Sequence, residues 1–223
     1  VISVHDLLCC MLIPGGNDAA LVLANEYGKG VDGFVAKMNA AAKKLGCTKT
    51  TFTDPHGLED TKQESTANDL AKIASAALKY SVFQTIVASL TYELPQTNKN
   101  EARTLVSTNY MLNYGFPDYY YDYCRGIKTG ASEAEGQSMI SYATKNGYTY
   151  LAIAIGGPYK DTDEDGDTEN QAILDNVRMF EWAFENLSYE IVTKQQQFVT
   201  TIPVNYCWEM DNVRLVAKSE VLA

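Results

Sequence analysis

Arg125-Gly126-Ile127-Lys128-Thr129-Gly130, followed by Ala131-Ser132, is the stretch on which the reading of this chain turns. An isoleucine ahead of Lys-Thr-Gly reads as the end of a buried strand that brings a cation, a hydroxyl and a bare backbone to one surface. A lysine ammonium attracts a carboxylate, a threonine hydroxyl can hydrogen-bond it, and a glycine lets a peptide backbone lie close. Downstream, residues 137–143 and 148–156 are β-rich runs joined by Lys145-Asn146-Gly147. Asn-Gly between two such runs is the strongest short-range hairpin signal. The expectation is a strand beside a hairpin, to which an extended peptide could add as one more strand. Three residues alone are weak evidence, so the context around them decides.

That context is an acidic globular chain. Its 223 residues carry a formal charge of −10, with 46% apolar and 21% charged residues. This suffices for one sizeable domain or one domain plus part of another, and it argues against a nucleic-acid partner. No apolar run approaches membrane-spanning length. The opening Val1-Ile2-Ser3-Val4-His5-Asp6 has neither a charged leader nor a cleavage site and reads as the continuation of a longer chain. Five scattered cysteines, Cys9, Cys10, Cys47, Cys124 and Cys207, form neither a disulfide framework nor a Cys/His metal pattern. No cofactor is expected.

Outward from the central stretch, helical periodicity dominates the N-terminal half. An apolar helix is expected over residues 4–12, with Cys9 and Cys10 in the core and His5 solvated at its start. Pro14-Gly15-Gly16 breaks it, and Asn17 or Asp18 is expected to cap a second helix over 19–27. A third, with apolar residues spaced from Val31 to Leu45, ends at Gly46. An extended segment over 50–53 leads into the turn Asp54-Pro55-His56-Gly57-Leu58, where His56 reads as a turn residue rather than a catalyst. Ser65-Thr66 caps a helix over 67–80; a short helix over 81–90 and a strand over 91–94 follow. A C-terminal helix is expected over 170–187. From Ser188 the texture changes to short β-type runs without helices, so the domain division is placed at 1–187 and 188–223, the latter the beginning of a β module.

Three patterns now stand in order: Pro14-Gly15-Gly16-Asn17-Asp18-Ala19, then Asp54-Pro55-His56-Gly57-Leu58 with the Ser65-Thr66 cap, then Lys128-Thr129-Gly130. Together, and over nearly the whole chain, they resemble the serine-type D-alanyl-D-alanine carboxypeptidases, the low-molecular-mass penicillin-binding proteins of the peptidase S11 family. The resemblance implies an α/β (α+β) fold of the transpeptidase/β-lactamase type, an antiparallel sheet with packed helices, lacking its N-terminal part. It implies catalytic roles for Asn17 and Lys128, and substrate binding by Lys128, Thr129, Gly130 and the backbone of Ala131, whose N–H would stabilise an oxyanion. It implies peptidoglycan stem peptides as substrate and β-lactam antibiotics as inhibitors. The implied location is the outer face of the cytoplasmic membrane, with any membrane anchor outside this chain.

Two departures qualify the resemblance. No Ser-x-x-Lys occurs in the 223 residues, and the serine of Ser-x-Asn aligns with Gly15, which cannot relay a proton. Ser107-Thr108-Asn109 also spells Ser-x-Asn, but out of order, and is read as a decoy. The alternatives are a catalytically inactive peptidoglycan-binding homologue, which would bind muropeptides without releasing D-alanine, and a β-lactamase, which would turn over cephalosporins. Asp161, Asp163, Asp165 and Gly166 match the opening of a calcium loop, yet its twelfth position is Ala172 rather than glutamate. A solvated acidic loop is the better reading, with a structural cation as the weaker candidate.

Overall fold

The computed structural model describes residues 1–58, 62–133, 136–161, 166, 168–188, 191–203, 212–218 and 221–222. These divide into two compact units, Val1–Ala183 and Phe184–Ala223.

The first unit is an antiparallel sheet with packed helices, as the sequence implied. Helix α1 (Val4–Leu12) starts at a capping box: the Ser3 hydroxyl accepts from the Asp6 N–H, and the Asp6 carboxylate accepts from the Ser3 N–H. Tyr92 also donates to Asp6, at 2.7 Å, which joins the start of α1 to strand β1 (Thr91–Leu94). Strand β1 pairs with β2 (Arg103–Val106). Cys9 and Ile13 of this region are buried with Ile86, Leu94 and Leu105. Cys10 is only half-buried, so of the neighbouring pair Cys9 alone is core. His5 is exposed, yet it stands edge-on to Tyr92 with ring centroids 5.9 Å apart.

Helix α2 (Asn17–Gly28) begins two residues earlier than its expected start at 19. Its cap is Gly16, whose extended φ/ψ of −66°/109° is what a capping position requires, and no side chain closes it. Asn17 is therefore the first helical residue and not the cap. Helix α3 (Val31–Lys44) packs against α2. The Asn39 side chain of α3 clamps the extended segment after it, donating to the Phe52 carbonyl and accepting from the Phe52 N–H, both at 2.8 Å. Helix α4 (Ala67–Ala77) is capped by Thr66, whose hydroxyl accepts from the Asp69 N–H. Asp69, almost fully buried, then ties α4 to the segment before it through the Lys49 N–H and the Thr50 hydroxyl, and also accepts from the Lys72 ammonium on its own helix.

The central sheet runs β3 (Cys124–Ser132), β4 (Gly136–Lys145), β5 (Tyr148–Gly157), in that order and antiparallel. The β4–β5 turn places Asn146 at φ 53° and Gly147 at φ 83°, the left-handed pair that a two-residue hairpin needs. Strand β3 is at the edge. Its register with β4 slips between Cys124 and Ile127, where Gly126 adopts φ 126°. A Cβ at Gly126 would lie 2.7 Å from the Val87 carbonyl oxygen, so only glycine lets helix α5 (Ser81–Val87) approach this closely. Ile127 is buried with Ala74, Val87 and Tyr142, which fixes the strand just before Lys128. Helix α6 (Gln171–Asn186) buries Ile173, Asn176, Phe180 and Ala183.

In the second unit the expected β-type runs form strands: Ile191–Thr193 pairs with Val221–Leu222, and Phe198–Pro203 with Asn212–Val216, both antiparallel. The 188 boundary itself remains a sequence expectation.

Candidate active site

Two loops and the edge strand enclose one cavity of about 830 Å³. One wall is the break after α1, with Pro14, Gly15, Gly16 and Asn17. Another is the turn at Pro55, His56, Gly57 and Leu58, and the floor carries Lys128, Thr129, Gly130 and Ala131. The three ordered sequence patterns thus converge on one space, although Lys128 is 111 positions from Asn17 in the chain.

The turn wall is held by its own hydrogen bonds. Asp54 accepts from the His56 N–H at 2.8 Å and the Gly57 N–H at 2.5 Å, while Gln63 accepts from the Thr53 N–H at 3.1 Å. His56 thereby serves the turn, as expected for its place in the sequence. Asn17 is exposed and lines the cavity, and its side-chain amide bonds to no other described residue.

Lys128 is the electrostatic centre. Its ammonium donates to the Thr108 hydroxyl at 3.1 Å and to the Thr129 carbonyl at 3.0 Å. Among the described residues no carboxylate pairs with it. Withdrawal of water pushes its pKa below the ordinary lysine value. A cation that is partly desolvated and lacks a counter-ion is primed to receive an anion. Gly15 completes the surroundings: at φ 83°, a Cβ there would lie 3.1 Å from Nζ and 3.2 Å from Cε of Lys128. The position that aligns with the Ser-x-Asn serine therefore does face the Lys128 ammonium, but without a side chain.

Thr129 adds a hydroxyl, and its Oγ1 is 2.7 Å from Thr108 Oγ1. Gly130 and Ala131 follow along the exposed edge of β3, where alternate N–H and C=O groups point away from β4 and are available to an extended ligand. The arrangement can hold a peptide in strand form with its carboxylate at Lys128 and Thr129.

Sequence reasoning missed Thr108. The Ser107-Thr108-Asn109 string is not a second catalytic motif: Ser107 and Asn109 are buried, and Asn109 caps the short 3-10 turn Tyr110–Leu112 by accepting from the Met111 N–H at 3.0 Å. Its middle residue, however, projects to Lys128 and Thr129. In the structure buried Leu105, Ser107 and Asn109 alternate with exposed neighbours, which turns Thr108 outward; because Ser107 and Asn109 are polar, no apolar alternation in the sequence marks it. Of the acidic loop, Asp161 accepts from the Gly166 N–H at 2.9 Å. Asp163 and Asp165 lie outside the described residues, and no group of metal-binding side chains occurs among those described.

Comparison with known proteins agrees with this geometry. The family model described as D-alanyl-D-alanine carboxypeptidase, peptidase S11, matches residues 1–158. A D-alanyl-D-alanine carboxypeptidase from Streptomyces sp. (strain K15) is 33% identical over 164 residues, 69% of this chain and 54% of the relative. One from Mycobacterium tuberculosis is 34% identical over 185 residues, 82% of this chain and 58% of the relative. The chain thus spans about half the length of the curated relatives it matches. Among solved structures, a Streptomyces K15 DD-transpeptidase variant aligns with a TM-score of 0.70 and 30% identity over 82% of this chain and 69% of that one. Penicillin binding protein 5 from Haemophilus influenzae shares the fold with a TM-score of 0.77, at 24% identity, over 99% of this chain and 59% of its own. By its family match and by the convergence of its three patterns on one cavity, the chain belongs to the peptidase S11 family of D-alanyl-D-alanine carboxypeptidases.

Proposed function

We propose that this chain forms the substrate-binding half of an enzyme that removes the terminal D-alanine from peptidoglycan pentapeptide stems through a serine acyl-enzyme. The observation that carries the reading is the Lys128 ammonium, unpaired with any described carboxylate and flanked by the Thr129 hydroxyl at the edge of β3. The terminal carboxylate of the stem would sit on Lys128 and Thr129. The peptide would lie antiparallel or parallel to β3, with the Gly130 backbone leaving it room. The Ala131 N–H would face the charge that develops on the scissile carbonyl oxygen, an interaction worth more in the transition state than in the ground state. Asn17, with its amide open to the cavity, would hold a backbone or side-chain amide of the stem.

The nucleophile of this chemistry, the serine of Ser-x-x-Lys, is not among these 223 residues. They contribute carboxylate recognition, peptide alignment and part of the oxyanion site. β-Lactams, which carry a carboxylate beside a strained amide, would enter the same cavity and acylate the same serine. The substrate places the protein outside the cytoplasm, facing the wall. Among the described residues no helix is long and apolar enough to cross a membrane, and any anchor would lie outside this chain.

A second reading, a binding protein without catalysis, is favoured by Gly15, which leaves no hydroxyl to hand a proton to the leaving amine. Intact-mass spectrometry of the full-length protein after incubation with benzylpenicillin separates the two. A covalent adduct and release of D-alanine from a pentapeptide are expected. Muropeptide binding with neither adduct nor release would establish the second reading, and absence of binding would sink both.

A further inference from the structure

We infer that Thr108 is a positioning residue that sets the direction of the hydrogen bonds from Lys128 to Thr129, so that the site binds a carboxylate in preference to its neutral amide. This rests on the reading of Lys128 and Thr129 as the carboxylate site.

An ammonium only donates, whereas a hydroxyl has one proton and two lone pairs. Lys128 donates to Thr108 Oγ1 at 3.1 Å, and the same oxygen is 2.7 Å from Thr129 Oγ1. Between the two threonines the proton could lie either way. Were Thr129 the donor, its oxygen would show only lone pairs to the cavity and would repel an anion. With Thr108 as the donor, Thr129 keeps its proton for the ligand. A carboxylate, which only accepts, selects the order ammonium to Thr108 to Thr129 to ligand. A carboxamide can supply a proton itself and is served by either order. One hydroxyl at position 108, accepting from the lysine and donating to the threonine, is what fixes the first order.

Two observations make Thr108 the group for this task. Position 15, which also faces the ammonium, has no side chain. And Thr108 is held in place on both sides, since Ser107 and Asn109 are buried, the Ser107 N–H donates to the Leu90 carbonyl at 2.8 Å, and the Thr108 N–H donates to the Ile13 carbonyl at 3.4 Å. The same carbonyl belongs to the residue before Pro14-Gly15-Gly16, so the segment that carries Thr108 is tied to the wall that carries Gly15.

The test uses the full-length protein, an acyl-D-alanyl-D-alanine peptide and the same peptide as its C-terminal amide. Binding is measured by calorimetry for the natural protein and for Thr108→Val, Thr108→Ala and Thr108→Ser. Thr108 is exposed, so the valine variant, which keeps the shape, should fold; the alanine variant gives an independent measure. The natural protein should prefer the acid. Thr108→Val and Thr108→Ala should weaken acid binding about ten- to a hundredfold, as loss of a hydrogen bond to a charged group does, and leave the amide nearly unchanged. Thr108→Ser should restore the preference. The alkaline limb of acid binding should also move to lower pH in the valine variant, because the ammonium has lost an acceptor. Unchanged acid-to-amide preference in Thr108→Val, or failure of Thr108→Ser to restore it, overturns the role of Thr108 alone. A natural protein that binds acid and amide equally overturns the carboxylate reading itself.

Discussion

Lys128 gains for binding what it costs in folding. Partial burial without a described carboxylate partner pushes its pKa below 10.5, so the folded chain gives up this proton more readily than the unfolded chain. The contribution to stability is then fully present above the unfolded value and is lost as pH falls through the folded one. Replacing the lysine with methionine, which keeps the stem, should leave the protein at least as stable at pH 7 while weakening the acid peptide about ten- to a hundredfold. In the natural protein, peptide affinity should fall as pH rises through the lowered pKa. Opposite signs for stability and affinity are the readout, obtained by denaturant titration and calorimetry on one pair of proteins. A methionine variant that is clearly less stable and binds normally would mean that Lys128 is a structural residue.

Asp69 has the reverse sign. Its nearby Lys72 ammonium, followed by the Lys49 N–H, holds its pKa at about 2 against an ordinary 3.8. The stability it provides is present above about pH 4 and is lost as pH falls toward 2. The gap in denaturation midpoint between the natural protein and Asp69→Asn should be widest near neutrality and should close over that acid window. A gap of constant width would show that the network works through hydrogen bonds alone, without the charge.

At the scale of elements, the edge strand is the part on which the site depends, and Gly126 is its hinge of register. At φ 126°, with the Val87 carbonyl 2.7 Å from any added Cβ, Gly126→Ala meets both backbone strain and a clash with backbone. The cost should be roughly 2–4 kcal/mol in a denaturant titration. Because Ile127 and Lys128 follow directly, acid-peptide affinity should fall with it. Loss of stability with full affinity would separate the bulge from the placement of the lysine. Much of this element was legible beforehand: Asn146-Gly147 announces the β4–β5 hairpin, and the apolar residues before Lys128 announce a strand. The bulge was not, since nothing local in Arg125-Gly126-Ile127 tells a register slip from an ordinary glycine; the reason is the distant carbonyl of Val87. Asn17 was legible as a residue at the cavity but not as a helical one, because Gly16 takes the extended capping conformation with no polar side chain to mark it. Thr108 lay beyond sequence reasoning for a similar cause. Its partners are 20 and 21 residues away, and a threonine between two buried polar residues carries no sign of which cation it will meet.

For the whole molecule, the question is whether carboxylate recognition is a property of the first unit alone. Among the described residues, those that line the cavity all lie between Met11 and Ile155, inside Val1–Ala183. Helix α6 ends at Asn186, and its buried Ile173, Asn176, Phe180 and Ala183 all fall before the proposed boundary at 187. A chain ended after Leu187 keeps that helix and its core intact, and among the described residues the strands removed pair with one another: Ile191–Thr193 with Val221–Leu222, and Phe198–Pro203 with Asn212–Val216. Among the described residues, the cut takes no partner strand from a ladder of the first unit. The full-length protein shortened by deleting residues 188–223 and everything after them should therefore bind the acid peptide with an affinity within about threefold of the natural protein, a difference of less than one kcal/mol. It should also keep its preference over the amide. A tenfold loss of affinity, with α-helical circular dichroism unchanged, would show that the C-terminal unit takes part in holding the peptide, and the division at 187 would then mark a change of architecture but not of function.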